Sequence, residues 1–192
     1  LDVIHSCYRG GETVSYTNQT PRRGVVEGSN VVLTTGETAM HRLGAQMPDG
    51  TIIGARGPHG DLAPDSELNT WFRTAYFDRF GTLPTYPSYK MAQALLGVKS
   101  AADQAGSVDR DAVIGALKGL EWEGPSGMVS MALANGHQAI QDTAYGTYKY
   151  DSENNKSTLV DIVRFNAECV NPPAGVNSID WINSGFEGAN CE

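Results

Sequence analysis

The chain has 192 residues, of which 40% are hydrophobic and 19% charged, a composition that suits one folded domain or two small lobes. Its net charge of -8, without any basic stripe, argues against nucleic acid as a partner. No stretch reaches the roughly 18 consecutive apolar residues of a membrane-crossing helix, and no CxxC pair supports a zinc ribbon or thioredoxin motif.

The chain opens with DVIHSCYRGGET, residues 2–13. Val3-Ile4 with His5-Ser6-Cys7 reads as a short buried strand, and Cys7 as a buried thiol. A helix is expected from Glu12 to about Arg23, ending at Gly24, with Pro21 weakening its last turn. Val31-Val32-Leu33 is a second strand. Thr34-Thr35-Gly36 then leads into a short helix from Glu37 to about Leu43, and residues 51–55 form a third strand. This β-α-β-α-β order predicts a parallel sheet with right-handed crossovers. With no N-terminal Met and no signal peptide in view, a processed chain or a fragment is expected.

After a loop over 58–64, Asp65 or Ser66 caps a strong helix. Leu68, Trp71, Phe72, Ala75, Tyr76 and Phe80 recur at helical spacing and predict one broad buried face, with Gly81 ending the helix. TLPTYPSYK, residues 82–90, is proline-broken and reads as an extended connector crossing between two lobes. A helix follows from about Pro87 to Ala105, ended by Gly106, and Asp109 caps another that runs to about Leu120. Beyond Gly124-Pro125-Ser126-Gly127 the pattern changes to strands over 128–131, 144–150 and 160–165, with a turn at Asn154-Asn155. Cys169 and Cys191 flank a loop-rich tail. A disulfide closing that tail would imply an oxidising compartment; two free thiols are the other reading.

Residues 67–129 carry a likeness. They hold an FxxAYxxRFG helix end over 72–81, a Pro-containing connector over 84–89 and an alanine-rich helix ending in Ala105-Gly106-Ser107. An acidic-capped helix from Asp109 and a G-x-x-G turn over 124–127 complete the pattern. This order resembles the C-terminal half of type I periplasmic binding proteins, in the branch serving ABC importers of branched-chain amino acids, amides and aromatic acids. The N-terminal strand, Gly-Gly loop, helix and VVLTTGE fit as well, so the likeness covers about residues 1–175. It implies an α/β protein of two Rossmann-like lobes with parallel sheets, joined by a hinge, with the first lobe largely missing from this chain. It divides the chain into second-lobe elements over 1–82, a hinge crossing with first-lobe helices over 83–127, strands returning to the second lobe over 128–168, and a tail over 169–192.

In such sheets ligands sit beyond the carboxyl ends of the strands. The resemblance places Arg9, just before Gly10-Gly11, toward the cleft with Tyr8 beside it. A cation there would pair with a ligand carboxylate, or else points to solvent. Gly10 would let backbone approach the ligand, or only makes a tight turn. Glu37 matches an acidic position that holds a ligand ammonium, or is a carboxylate favoured by the helix dipole. Thr34 and Thr35 would donate hydroxyls or cap the helix; Tyr86 and Tyr89 would line the cleft or pack on the next helix. None of His5, His41, His59 and His137 is paired at metal spacing, and no GxSxG, HExxH, Walker A or GxGxxG occurs.

The resemblance therefore implies a periplasmic or extracellular solute-binding component of an ABC importer, binding a small carboxylate-bearing ligand between two lobes, without catalysis, cofactor or metal. Its partners would be that small molecule, the membrane permease, and the missing N-terminal half of the same protein. A ligand-sensing receptor or regulator on the same fold is the alternative.

Overall fold

The structure is a computed structural model and describes residues 2–24, 26–54, 57–133 and 138–191. It divides at 62/63, 143/144 and 164/165 into two compact units.

The first unit, Leu1–Leu62 with Ala144–Arg164, is built on a five-stranded sheet. Its β-branched runs form β1 (Val3–Ser6), β2 (Asn30–Leu33) and β3 (Ile52–Gly54), and these three pair in parallel. Ala55, expected in the third strand, lies outside the described residues. Two later strands, β7 (Thr143–Asp151) and β8 (Lys156–Phe165), complete the order β1-β2-β3-β7-β8. β7 joins antiparallel, with Ile53 opposite Gly146, so the sheet is mixed.

Helices α1 (Gly11–Gln19) and α2 (Glu37–Leu43) make the crossovers. Pro21 has no N–H to continue the α1 ladder, so residues Pro21–Arg23 form a separate 3-10 turn, closed by Gly24 in the left-handed region. Gly36 lets α2 begin hard against the sheet, since a Cβ there would lie 2.7 Å from Ile53 Cδ1. The core gathers Leu33, Met40, Leu43, Met47, Ile53, Leu62, Ala144, Tyr148 and Leu159. Buried Tyr148 donates its hydroxyl to Gly44 O at 2.9 Å and meets Ser157 Oγ at 2.8 Å, so its polar end is satisfied.

β1 is not the buried strand that its apolar start suggested. It stands at the sheet edge with β2 on one side, Val3 is 55% exposed, and the Cys7 thiol is exposed.

The second unit comprises Ala63–Thr143 and Phe165–Glu192. Ser66 caps α3 (Glu67–Phe80) by accepting from Asn69 N, and Gly81 ends it in the left-handed conformation. The expected broad buried face of α3 is narrower. Phe72 and Tyr76 pack toward α4 (Tyr86–Ala105), where the Phe72 ring meets Tyr89 at 5.0 Å. Trp71 and Phe80 lie outside that strip and are 64% and 58% exposed.

α4 takes in the end of the connector, and Tyr89 is fully buried with its hydroxyl on Asn69 Oδ1 at 2.7 Å. Asp109 caps α5 (Arg110–Leu117), which stops three residues earlier than expected because the next residues turn into a strand. That strand, β4 (Glu121–Gly124), alternates exposed Glu121 and Glu123 with buried Trp122 and Gly124. It forms an antiparallel sheet with β5 (Gly127–Leu133) and β6 (Gln138–Ile140). His137 lies outside the described residues. A Cys169–Cys191 disulfide ties the segment holding the short helices α6 (Ala167–Val170) and α7 (Ser178–Asn183). No helix among the described residues is long and apolar enough to cross a membrane.

Trp122 locks this unit. Its indole donates to Gln93 O at 3.0 Å and its ring lies against Gly97, where a Cβ would stand 2.6 Å from Cζ2. Gly97→Val should therefore destabilise the unit by about 1–3 kcal/mol through overpacking, read as a lowered urea midpoint; an unchanged midpoint would show that Trp122 moves freely.

Nearby, the Lys90 ammonium donates to Gln93 Oε1 at 3.2 Å and to Gln141 Oε1. Burial lowers its pKa to about 8. The unfolded chain then binds more protons between about pH 8 and 10.5, so stability should rise with pH across that window. Lys90→Met should flatten the rise, measured by urea unfolding at pH 7.5, 9 and 10.5.

Candidate functional site

The parallel arrangement of β1 and β2 brings their carboxyl ends side by side, where open α/β sheets hold ligands. Thr34 N donates to Ser6 O at 3.0 Å and extends the ladder one step past the strands. His5 Nε2 meets Thr34 Oγ1 at 2.7 Å. One residue on, the Thr35 hydroxyl donates to Tyr8 O at 2.6 Å and leans on Cys7 O at 3.3 Å. Thr35 is only 5% exposed, and its single hydroxyl hydrogen is committed to the backbone. It braces the site and has no hydrogen to offer a ligand.

That brace brings Tyr8, Arg9, Gly10, Thr35 and Glu37 into one region. Tyr8 is 47% exposed, with its ring 5.7 Å from the Tyr16 ring centroid. The Arg9 side chain is exposed and makes no ion pair among the described residues, while its carbonyl accepts from Glu12 N at 3.2 Å. Gly10 has φ 55 and ψ -123 at the start of α1. A Cβ there would meet nothing within 4 Å, so backbone conformation and not crowding demands glycine.

Glu37 is the first residue of α2 and is 8% exposed. Its Oε1 lies 3.3 Å from His59 Nε2, and its Oε2 is buried with no hydrogen-bond partner among the described residues. His59 is 5% exposed, with Nδ1 3.4 Å from Gly57 O. No spacing signals this pairing, because Glu37 opens α2 while His59 lies in the segment after β3, and only the fold brings them together. Tyr86 opens α4 in the second unit, half-buried, with the Lys90 ammonium 5.9 Å from its ring centroid. Among the described residues no group of three or more His, Cys, Asp or Glu could hold a metal ion.

Thr35→Val keeps the shape but removes the hydroxyl that donates to Tyr8 O. It should cost about 0.5–1.5 kcal/mol, and Thr35→Ser should restore most of it. Urea unfolding of the two variants checks this, and equal losses would show that the methyl group, not the hydroxyl, matters.

Comparison with solved structures finds the same fold. An ABC-transporter solute-binding protein from Rhodopseudomonas palustris BisB5, in complex with 3,4-dihydroxybenzoic acid, aligns with a TM-score of 0.68 at 22% identity, over 86% of this chain and 45% of that one. An amino acid ABC transporter substrate-binding protein from Pseudomonas fluorescens Pf-5 gives 0.69 at 23% identity, over 85% and 44%. An ABC-type branched-chain amino acid transporter protein from Rhodopseudomonas palustris CGA009 gives 0.68 at 20% identity, over 92% and 46%. This chain thus spans less than half the length of each. No curated protein matches it. Residues 1–155, well over half of the chain, match the periplasmic binding protein family, and the chain belongs to that family.

Proposed function

We propose that this chain is part of the solute-binding component of an ABC importer and binds a small carboxylate-bearing solute, in the range of amino acids, amides and aromatic acids. The observation that carries the reading is the exposed Arg9 guanidinium beside exposed Tyr8, held at the carboxyl end of β1 by the Thr35 hydroxyl. An unpaired guanidinium offers two parallel N–H groups to a carboxylate, and the adjacent phenol ring offers a flat apolar face. Family membership and the solutes named in the similar structures, among them 3,4-dihydroxybenzoic acid, p-hydroxybenzoic acid and benzoate, support the same class.

In this reading the protein works by binding and release, with the membrane permease as its partner, and its place is the periplasm or the cell exterior. The Cys169–Cys191 disulfide suits such an oxidising compartment.

Thermal denaturation of the full-length protein against amino acids, amides and aromatic acids tests the reading. At least one solute should raise Tm, since ligand at about 100 times Kd adds roughly 2.7 kcal/mol of stability. Arg9→Gln should weaken that solute about tenfold or more. A panel without any stabilising solute would sink the proposal.

A further inference from the structure

The second unit holds a cavity of about 350 Å³ between α4, the end of α5 and the β4-β5-β6 sheet. Val98, Leu117, Trp122 and Met131 give it apolar walls, while Lys90, Gln93 and Gln141 form one connected polar cluster in it. A count of hydrogens shows what that cluster lacks. The Lys90 ammonium has three hydrogens and no acceptor. It donates to Gln93 Oε1 and Gln141 Oε1, and so turns both amide oxygens toward itself. Gln93 Nε2 donates to Gln141 Oε1 as well, at 2.8 Å. The third ammonium hydrogen and the second hydrogen of Gln93 Nε2 have no acceptor among the described residues, and Gln141 Nε2 is buried without any partner.

The charge is open in the same way. Lys90 makes no ion pair among the described residues. Its ammonium stands 5.9 Å from the Tyr86 ring centroid, which favours a cation but supplies no negative charge. Burial lowers the Lys90 pKa to about 8, so at neutral pH the group is still a cation, half out of water and without a counterion. A surplus of donors around such a cation is the complement of a carboxylate, which brings two acceptor oxygens and one negative charge. The apolar walls and the small volume suit a short hydrocarbon body.

We infer that this cavity binds a small monocarboxylate with an apolar body, its carboxylate paired with Lys90 and its hydrocarbon part laid on Trp122 and Met131. The site is built from the second unit by itself. It does not depend on Arg9 and goes beyond the solute-binding reading above.

Full-length protein carrying Arg9→Gln, with its methionine methyl groups labelled with carbon-13, reads the second site by NMR, and Met131→Leu assigns the Met131 signal. 3-Phenylpropanoate should shift that signal saturably, and the neutral 3-phenylpropanamide should bind at least tenfold more weakly. Lys90→Leu should weaken the acid about tenfold or more, while Lys90→Arg keeps the cation and should stay within about fivefold. Between pH 7.5 and 9.5 the ammonium loses its proton, so affinity for the acid should fall about tenfold or more, and in Lys90→Arg it should hold. That pH profile carries the test if Lys90→Leu does not fold. Equal binding of acid and amide, or an affinity that ignores Lys90→Leu and pH, would show an apolar hole and overturns the inference. A Met131 signal that never moves also overturns it, and leaves the solute-binding reading standing wherever a solute still raises Tm of the unaltered protein.

Discussion

The hydroxyl of Thr35, bonded to the carbonyl of Tyr8, is the contact on which the candidate site depends. Two parallel strands align their ends but do not by themselves fix the loops that leave them. Here one buried side chain reaches from the β2 loop to the β1 loop, so the positions of Tyr8, Arg9 and Gly10 are set relative to α2. The unusual backbone of Gly10 then turns the chain at once into α1. Short loops held this way give rigid placement to exposed groups, which suits recognition that needs little rearrangement.

The electrostatic character of this end of the sheet follows from which charges are compensated. Arg9 and Glu37 together suggest a zwitterion-binding pair when read as letters in a sequence. In the folded chain they differ in kind: Arg9 is exposed and makes no ion pair among the described residues, while Glu37 is buried against His59. A guanidinium is weakly hydrated and gives up water readily to a planar anion. Glu37 instead meets the His59 imidazole at 3.3 Å and is only 8% exposed.

Much of the first unit was legible because its signals are local. Gly24, Glu37 and Leu43 fall at their expected boundaries, since a left-handed glycine, a helix-start carboxylate and an apolar repeat each act within one turn. The exposure of β1 was not legible. Val3-Ile4 is as apolar as a central strand, and only its position in the sheet order leaves one side open. The same limit applies to α3, whose aromatic spacing told which residues share a face but not how wide a strip α4 would cover. β4 was legible and missed: the Glu-Trp-Glu-Gly alternation is a period-two pattern, but it is short and follows a helix directly. At the site, Arg9, Gly10 and Glu37 stood out by residue type and place, while His59 had no signal. Its partner lies 22 positions away across one sheet crossover, and no spacing rule spans that distance.

The strand order of the first unit also bears on how the chain is made. β3 needs β7 as its second neighbour, and the fully buried Ile53 and Tyr148 belong to the same core. Yet 81 residues, from 63 to 143, lie between the two parts of that unit and form most of the other. During synthesis the β1-β2-β3 segment must therefore wait, with the β7 side of β3 unpaired, while the whole intervening segment leaves the ribosome. At about 5–20 residues per second that wait lasts several seconds. The hydroxyl of Tyr148 reaches Gly44 across 104 positions, so the first unit gains its central contacts only late. The inserted segment needs no such delay, and its α4–β4 packing on Trp122 can form first. The chain is thus read in one order and completed in another, with its earliest residues among the last to be locked in place.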